Sequence, residues 1–370
     1  MSYPIISADS HITEPPNTYI DYIDPAWRDR APRLERHEPA GDVFVIDGMK
    51  RPIPLGTVAA AGKPAEEIRT DGARFEELHR GGWDPDARLA DQVRDGVAAE
   101  VIYPTIGMVL CNHPDLDYKK ACFAAYNRWL VEYCGAHPDR LFGMGQTAVC
   151  TPTDAIRDLE AIKAAGLRGV MMPGRPGVSD YDDPIYDDFF RAAIALELPL
   201  AFHILTSRED HAKPRGPKMN SFLAVIRGCQ DIIGTMILGG VFERHPRLKI
   251  VCVEADAGWV PHYMYRMDHA YKRHRNWLPA GQALSRLPSA YFRENVYVTF
   301  QDDWVAFKTA DLMNWRRLMW ANDFPHSDST WPWSQDVLAE HKADLSDEQR
   351  ERILSRNVAE LFHIDVAGLQ

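Results

Sequence analysis

The chain has 370 residues and a formal net charge of −11 at pH 7 with histidine counted as neutral. Its hydrophobic content of 45% and charged content of 26% are ordinary for a soluble globular protein and exclude a mainly disordered chain. The acidic balance argues against a nucleic-acid-binding protein and against docking on an anionic membrane surface. We therefore expect a globular protein with neither nucleic acid nor membrane as a partner.

The N-terminal segment lacks a basic stretch followed by an apolar one, so we expect no secretory signal peptide. No apolar run approaches the roughly 20 residues that a membrane-spanning helix requires. The six cysteines form no Cys-x-x-Cys pair, and most of them lie inside apolar segments. This pattern favours buried free thiols and a cytoplasmic protein.

Short apolar runs alternate with longer helical patterns along the chain. The apolar runs predict eight strands, in chain order over residues 5–8, 99–103, 141–148, 169–172, 199–203, 248–254, 295–300 and 317–320. Helices are predicted over residues 117–135, 152–165, 185–196, 221–234, 236–245, 259–274 and 304–313, with a further helix ending at 95–96. Cap signals support two helix starts, at Thr151 or Thr153 and at a capping box of Ser346 with Gln349.

Continuous alternation of eight strands with helices predicts an α/β fold, a (β/α)8 TIM barrel. A doubly wound sheet is the alternative, but no Gly-x-Gly-x-x-Gly signature follows the first strand. Residues 1–370 are expected to form one domain that ends in helices over 340–370. Residues 17–83 form an insertion after strand 1, with a hairpin over 42–54 that turns at Asp47 and Gly48. An insertion at this place is expected to cap the C-terminal face of the barrel, where active sites form.

Polar side chains end several of the predicted strands. Asp9 and His11 follow the first strand, His203 ends the fifth, and Asp323 follows the eighth. The C-terminal strand ends of a barrel surround one mouth, so these side chains should converge there. Imidazole and carboxylate ligands suit Zn²⁺, Mn²⁺ or Fe²⁺ with a position left open for water or substrate. We predict one or two divalent ions at this mouth, with zinc as the first choice.

Three further side chains have open roles in this prediction. Glu254 follows a very apolar strand and is a metal ligand, a general acid or base, or the partner of a buried arginine. Glu14 either starts a helix or contributes to the metal site. His326 would hold a substrate or support the metal. Glu254 and His326 are therefore candidate catalytic residues.

The loop over residues 206–220 is rich in Arg, Lys, Pro and Gly and follows the fifth strand. It is either a lid whose cations, Arg208 and His211 among them, bind an anionic substrate, or a plain solvated loop. Trp320 and Phe324 would supply aromatic walls for the substrate, although core packing is the ordinary role of such residues.

Several segments together resemble one family. They are Asp-Ser-His-Ile-Thr-Glu-Pro-Pro at 9–16, residues 88–97, 138–143 and 198–203, Gly-Gly-Val-Phe-Glu-Arg-His-Pro at 239–246, Glu-Ala-Asp-Ala-Gly-Trp-Val-Pro at 254–261, and Met-Trp-Ala-Asn-Asp-Phe-Pro-His at 319–326. The chain resembles the amidohydrolase superfamily, in the branch related to aminocarboxymuconate-semialdehyde decarboxylase. The resemblance implies a metal-dependent barrel enzyme with Asp9, His11 and His203 as ligands and Asp323 as a ligand or acid–base. It also implies a homodimer or higher oligomer, with a hetero-oligomer containing a paralogue as another option.

The leading hypothesis is a hydrolase that attacks a small, carboxylated substrate with metal-activated water, with Asp323 or Glu254 as acid–base. The alternatives are non-oxidative decarboxylation of an aromatic or muconate-type acid, a dinuclear iron or manganese–iron oxygenase, and a metal-poor structural subunit. The chain departs from the resemblance at two positions. Asp9 stands where many members have histidine, and Glu254 stands where the best-known decarboxylases have a catalytic histidine.

Overall fold

The computed structural model describes residues 3–207, 216–279, 281–341 and 343–369. Strands β1 to β11 are, in chain order, Ile6–His11, Arg33–His37, Gly41–Val45, Ile53–Pro54, Ala99–Tyr103, Leu141–Gln146, Gly169–Met171, Leu200–His203, Ile250–Val253, Val296–Phe300 and Leu318–Trp320. Helices α1 to α15 are Thr18–Tyr22, Pro85–Asp95, Ile106–Leu110, Leu116–Gly135, Pro152–Ala164, Asp187–Ala195, Lys218–Phe222, Arg227–Leu238, Val241–Arg244, Val260–His274, Pro288–Asn295, Trp304–Thr309, Ser334–Glu340, Asp347–Glu351 and Asn357–Phe362. A π-helical turn, Arg352–Arg356, joins the last two helices.

Eight parallel strands form the central sheet in the order β1-β5-β6-β7-β8-β9-β10-β11, with helices between successive strands. Their residues are buried along their whole length, as expected for a sheet that is covered on the outside and filled with side chains inside. The predicted (β/α)8 barrel is therefore confirmed, and the doubly wound alternative is wrong. The first strand extends further than predicted, so that Asp9 and His11 lie within β1 instead of after it.

Side chains hold the seam between β1 and β11, since within the described ranges no strand ladder joins the two. Asn322 Oδ1 accepts hydrogen bonds from the hydroxyls of Ser7 at 3.0 Å and Ser10 at 2.9 Å. Two backbone bonds cross nearby, from the Asp323 N–H to the Asp9 carbonyl at 3.1 Å and from the His11 N–H to the Phe324 carbonyl at 2.7 Å. The seam thus brings the carboxylate residues that follow β11 and end β1 next to each other.

The insertion contains a three-stranded antiparallel sheet in the order β2-β3-β4. β3 pairs with β4 across a turn at Asp47 and Gly48, as the predicted hairpin requires. β2 was not predicted, because its charged sequence shows no apolar alternation and only its pairing with β3 defines it as a strand. The end of the insertion contacts the barrel where Thr13 N–H donates to the Gly82 carbonyl at 2.7 Å. That the insertion caps the mouth stays a prediction.

The predicted cap signals are confirmed at two helices. The Thr151 side chain accepts a hydrogen bond from the backbone of α5, and Ser346 forms a reciprocal capping box with Gln349 at α14. One predicted helix, over 236–245, is wrong as a single element. Gly239 and Gly240 separate α8 from α9, and Gly240 adopts φ +73°, which a helix interior does not allow. All six cysteines are free thiols, and among the described residues no helix is both long and apolar enough to cross a membrane.

Candidate metal centre

Four strand ends bring the predicted ligands to one mouth of the barrel. Asp9 and His11 are two residues apart on β1, so both side chains lie on its inner face. His203 is the last residue of β8, and Glu254 and Asp323 follow β9 and β11. All five are buried except Glu254, whose side chain is 13% exposed.

Glu254 and Asp323 both have a left-handed backbone, with φ +57° and +53°. Residues other than glycine seldom adopt this conformation, which stores strain of about 1 kcal/mol and is held only by its surroundings. The Glu254 N–H donates to Thr299 Oγ1 at 2.9 Å, and the Asp323 N–H donates to the Asp9 carbonyl. These bonds fix the two turns that direct both carboxylates into the mouth.

One cluster consists of Asp9, His11, His203 and Glu254, whose ligand atoms all lie within 4.8 Å of one another. His11 Nε2 lies 3.3 Å from Asp9 Oδ1 and 3.4 Å from Glu254 Oε2. His203 Nε2 lies 3.2 Å from Glu254 Oε2 and 3.6 Å from Asp9 Oδ1. Two imidazoles and two carboxylates thus face one common point.

The backbone fixes how both imidazole rings are protonated. His11 Nδ1 lies 2.9 Å from the Pro104 carbonyl, and His203 Nδ1 lies 3.1 Å from the Ile204 carbonyl. Because a carbonyl oxygen only accepts, each Nδ1 carries the hydrogen and each neutral ring presents an Nε2 lone pair. The two Nε2 atoms are 3.1 Å apart, so the lone pairs repel unless a proton or a cation lies between them. Histidine ligands of metal ions are held in this way by carbonyl partners.

Five carboxylate oxygens at this mouth are buried and have no hydrogen-bond partner among the described residues. They are both oxygens of Asp9, both oxygens of Asp323 and Oε2 of Glu254. An ionised carboxylate in such surroundings costs several kcal/mol unless a counter-charge binds it. The residues therefore fit a divalent cation, which would satisfy these oxygens and the facing lone pairs together.

Ionisation at this mouth is strongly perturbed. Burial opposes ionisation of Asp9, but the adjacent imidazoles of His11 and His203 outweigh it and hold the Asp9 pKa well below its usual range. Burial likewise opposes protonation of His11, yet the carboxylates of Asp9 and Glu254 raise its pKa well above the ordinary value. Burial raises the pKa of Asp323 well above its usual range. Without a metal, a proton on His11 takes the position of the cation.

A second cluster, which shares two members with the first, consists of His11, Glu254, Asp323 and His326. The Thr105 hydroxyl donates to the Ile12 carbonyl at 2.6 Å, so its oxygen accepts from His326 Nε2–H at 2.9 Å. His326 Nδ1 is then unprotonated, and it lies 3.0 Å from Asp323 Oδ1. The contact requires a proton on Asp323 or a cation between the two groups.

Glu14 binds the backbone outside both clusters. Its Oε1 accepts hydrogen bonds from the amides of Thr105, Ile106 and Gly107, at 3.1, 2.8 and 3.3 Å. These amides begin α3, so Glu14 satisfies the unpaired donors of a helix start. Burial raises the pKa of Glu14 to about 7. The helix-start alternative therefore fits Glu14 better than the ligand alternative.

Two of the predicted substrate-binding residues, Phe324 and Trp320, pack in the core. The Phe324 ring packs 4.6 Å from the Arg88 guanidinium and 5.2 Å from the Trp331 ring. Trp320 is fully buried in the hydrophobic core. Both contacts are core packing, so the structure does not support the predicted aromatic walls. Arg208 and His211 lie outside the described residues.

The sequence reasoning missed three residues that surround the ligands: Tyr103, Thr105 and Arg88. Tyr103 ends β5, as His203 ends β8, and its ring lies 5.5 Å from that of His203. The rule that singled out polar strand ends would have found Tyr103 if aromatic hydroxyls had been included. Thr105 contacts the Ile12 carbonyl and the His326 ring, and Arg88 donates to the His11 carbonyl. No local pattern in the sequence marks either residue.

Comparison with known proteins identifies the family. The family model described as Amidohydrolase matches residues 37–364. The chain belongs to the amidohydrolase family. A 2-amino-3-carboxymuconate-6-semialdehyde decarboxylase from Dictyostelium discoideum is 25% identical over 309 residues, which cover 81% of this amidohydrolase and 82% of the relative.

Solved structures share the barrel fold of this chain. An amidohydrolase from Mycobacterium avium subsp. paratuberculosis K-10 superposes with a TM-score of 0.80 at 20% identity, covering 99% of this chain and 100% of that one. A 5-carboxyvanillate decarboxylase from Novosphingobium aromaticivorans DSM 12444, complexed with manganese and 4-hydroxy-3-methoxy-5-nitrobenzoic acid, gives 0.71 at 20% identity over 98% and 96% of the two chains.

These findings bear on the predicted activity. The decarboxylase relatives are carboxy-lyases of the amidohydrolase superfamily, so the prediction of an enzyme of the hydrolase or carboxy-lyase type is confirmed. They do not confirm the leading hydrolase hypothesis, and they fit the decarboxylase alternative better. A manganese-bound homologue and the ligand clusters together support a divalent metal site, whereas zinc as the metal is not confirmed.

Proposed function

We propose that this amidohydrolase is a metal-dependent, non-oxidative decarboxylase of a small aromatic or muconate-type carboxylic acid. The observation that carries the proposal is the contact between Asp323 Oδ1 and the unprotonated Nδ1 of His326, beside a ready-made metal cluster. This contact gives the mouth a carboxylic acid that can donate a proton. The decarboxylases among the relatives support the same reaction class.

Decarboxylation of this kind replaces a carbon–carboxylate bond by a carbon–hydrogen bond. The bonding electron pair stays on the carbon as CO₂ leaves, and one proton must reach that carbon. Asp9, His11, His203 and Glu254 would hold the ion, which would act as a Lewis acid on the substrate carboxylate or a neighbouring hydroxyl. Asp323 donates its proton to the carbon, and His326 orients Asp323 and returns a proton from solvent.

The His326 contact, which places a proton on Asp323 when no cation lies between the two groups, also favours decarboxylation over hydrolysis. A hydrolase needs a group that removes a proton from water, and a carboxyl that already carries its proton is no base. Glu254 Oε2 lies 3.2 and 3.4 Å from the two imidazole nitrogens, as a ligand of the same ion would. We therefore assign Glu254 to the metal and Asp323 to the proton transfer.

An assay of CO₂ release tests the proposal. Protein loaded with Mn²⁺ or Zn²⁺ is incubated with hydroxybenzoates, methoxyhydroxybenzoates and muconate-type acids, and CO₂ and the product are measured. In D₂O the product should carry deuterium at the carbon that lost CO₂. Asp323→Asn should keep bound metal and lose turnover by a factor of about 100 or more. Turnover of lactones or amides with no CO₂ release from any acid would replace the proposal by the hydrolase.

A dinuclear centre is a second candidate, because Glu254 belongs to both clusters. Asp9, His11 and His203 would hold one ion and Asp323 and His326 a second, with Glu254 within reach of both groups. Such a site suits iron or manganese and reactions with O₂. Elemental analysis decides between the two: a stoichiometry near two, with His326→Ala reducing it to one, would favour the dinuclear centre. O₂ consumption during turnover would then identify the oxygenase.

The proposal extends to the metal, the location and the assembly state of the enzyme. The donor set suits manganese as well as zinc, and the manganese-bound relative makes manganese our first choice. We propose a cytoplasmic protein made of one barrel domain, with a small organic acid as substrate and a homodimer as its assembly. Light scattering of the purified protein measures the assembly state directly.

A further inference from the structure

Arg88 occupies the middle of the seam region although it is far from the ligands in sequence. It lies on α2 and is fully buried. Its Nε and Nη2 donate to the two carboxylate oxygens of Glu100 on β5, at 2.6 and 3.1 Å. Gln92 donates to the same carboxylate at 2.7 Å. The ion pair is thus bidentate, dry and fixed in orientation.

The remaining donors of the guanidinium reach the backbone beside the ligands. Nη1 donates to the His11 carbonyl at 2.6 Å and to the Gly81 carbonyl of the insertion at 3.3 Å. Nη2 also donates to the Phe324 carbonyl at 3.3 Å, and the same carbonyl accepts the His11 N–H at 2.7 Å. Phe324 directly follows Asp323. One side chain therefore links the backbone of a ligand on β1 to the residue next to Asp323.

We propose that Arg88 is a positioning residue for the metal centre, which sets the distance between His11 and Asp323. Within the described residues β1 and β11 share no strand ladder, and two backbone bonds and the Asn322 side chain join them. The planar fork of the guanidinium adds a fixed reference to these contacts, because it anchors both segments to Glu100 on β5. This inference rests on the metal site of the proposed function and adds a residue that touches neither metal nor substrate.

The chemistry of the contacts makes the role specific to arginine. Lysine carries the same charge, but its single ammonium cannot grip a carboxylate with two parallel bonds and also reach carbonyls on two other segments. Arg88→Lys should therefore keep the buried charge pair with Glu100 while releasing the backbone of His11 or of Phe324. A role limited to charge pairing would leave the lysine variant unchanged at the metal site.

The test measures Mn²⁺ binding by calorimetry and by electron paramagnetic resonance in folded protein. We expect Arg88→Lys to weaken Mn²⁺ binding by about 10- to 100-fold and to alter the Mn²⁺ spectrum, as loss of a group that orients ligands does. kcat should fall more than KM rises, because misplaced ligands act on the reaction more than on substrate capture. Arg244→Met is the matched control, since Arg244 pairs with Asp187 on outer helices and contacts no ligand. It should bind Mn²⁺ as the wild type does.

A second variant keeps the test decisive if Arg88→Lys folds poorly. Arg88→Met combined with Glu100→Leu removes both charges, and replacing a whole buried ion pair by apolar groups is often tolerated. Folded protein of either variant with wild-type Mn²⁺ affinity and spectrum would overturn the positioning role and leave the proposed function standing. Wild-type protein that binds no Mn²⁺ at all would overturn the metal centre and, with it, this inference.

Discussion

Tyr103→Phe should make the protein more stable and less active. The Tyr103 ring ends β5 at 5.5 Å from His203 and 6.1 Å from His11, and the residue is fully buried. Its hydroxyl has no hydrogen-bond partner among the described residues. Because this buried hydroxyl lies beside the ligand rings, we expect it to donate to a substrate oxygen during turnover. The substitution removes that single oxygen and keeps the ring.

Two free energies with opposite signs follow from this geometry. A buried hydroxyl without a partner costs about 1–3 kcal/mol in the free enzyme, so its removal should stabilise the fold by about 1 kcal/mol. At an unfolding entropy of roughly 2 cal/mol/K per residue, that gain raises Tm by only about 1 °C in a chain of this length. A hydrogen bond to a charged oxygen is worth about 1.5–3 kcal/mol, so kcat/KM should fall roughly 10- to 150-fold.

The assay combines urea denaturation, which resolves 1 kcal/mol better than Tm does, with initial rates of CO₂ release. Tyr126→Phe is the matched control, because Tyr126 on α4 is also fully buried with an unpaired hydroxyl but is no neighbour of the ligand rings. It should gain the same stability and keep its kcat/KM. If Tyr103→Phe loses stability and keeps its activity, the hydroxyl bonds within the protein and the reasoning is refuted.

Three further predictions follow from the site and the seam. Removing metal with a chelator should lower the free energy of unfolding by about 2.7 kcal/mol, compared with protein in Mn²⁺ at a concentration 100 times the Kd for Mn²⁺. Adding Mn²⁺ back should restore the stability. Equal urea midpoints with and without Mn²⁺ would contradict this prediction. Asn322→Ala should cost about 2 kcal/mol in urea denaturation, since it removes one acceptor of Ser7 and Ser10 and the amide that donates to buried Asp95. A loss below about 1 kcal/mol would show that the seam holds without it. Burial raises the pKa of Glu14 from 4.5 to about 7, so ionisation of Glu14 opposes folding increasingly as the pH rises through that window. The free energy of unfolding of Glu14→Gln should therefore rise relative to that of the wild type, by up to about 3 kcal/mol, as the pH increases from 4.5 to 8. A difference between the two proteins that does not change with pH would refute the raised pKa of Glu14.

The sequence predicts the barrel well, because the residue pattern of each strand agrees with its position in the fold. The barrel strands are short apolar runs, and the polar residues at their C-terminal ends meet because parallel strands share one edge. Asp9, His203 and Asp323 could be placed on that ground alone. β2 could not, because its residues Arg33–His37 have no apolar periodicity and become a strand only by pairing with β3.

The details of the site depend on contacts between distant segments. The proton positions on His11 and His203 come from backbone carbonyls, and the Arg88 bond to the His11 carbonyl spans 77 residues. Phe324 was expected to face the substrate, yet it packs under Arg88. The neighbouring residue Asp323 has the left-handed backbone, and its side chain points into the mouth. A sequence pattern does not show which of two adjacent residues adopts that conformation.

Charge balance connects the number of metal ions to the reaction. Asp9 and Glu254 contribute two negative charges, so one divalent ion neutralises the site provided that Asp323 carries its proton. With two ions and an ionised Asp323, the three carboxylates leave one positive charge. Either state accepts an anionic acid, but only the first still holds a proton that Asp323 can give to carbon. A count of one ion therefore favours decarboxylation, and a count of two removes the proposed proton donor and points to chemistry with O₂.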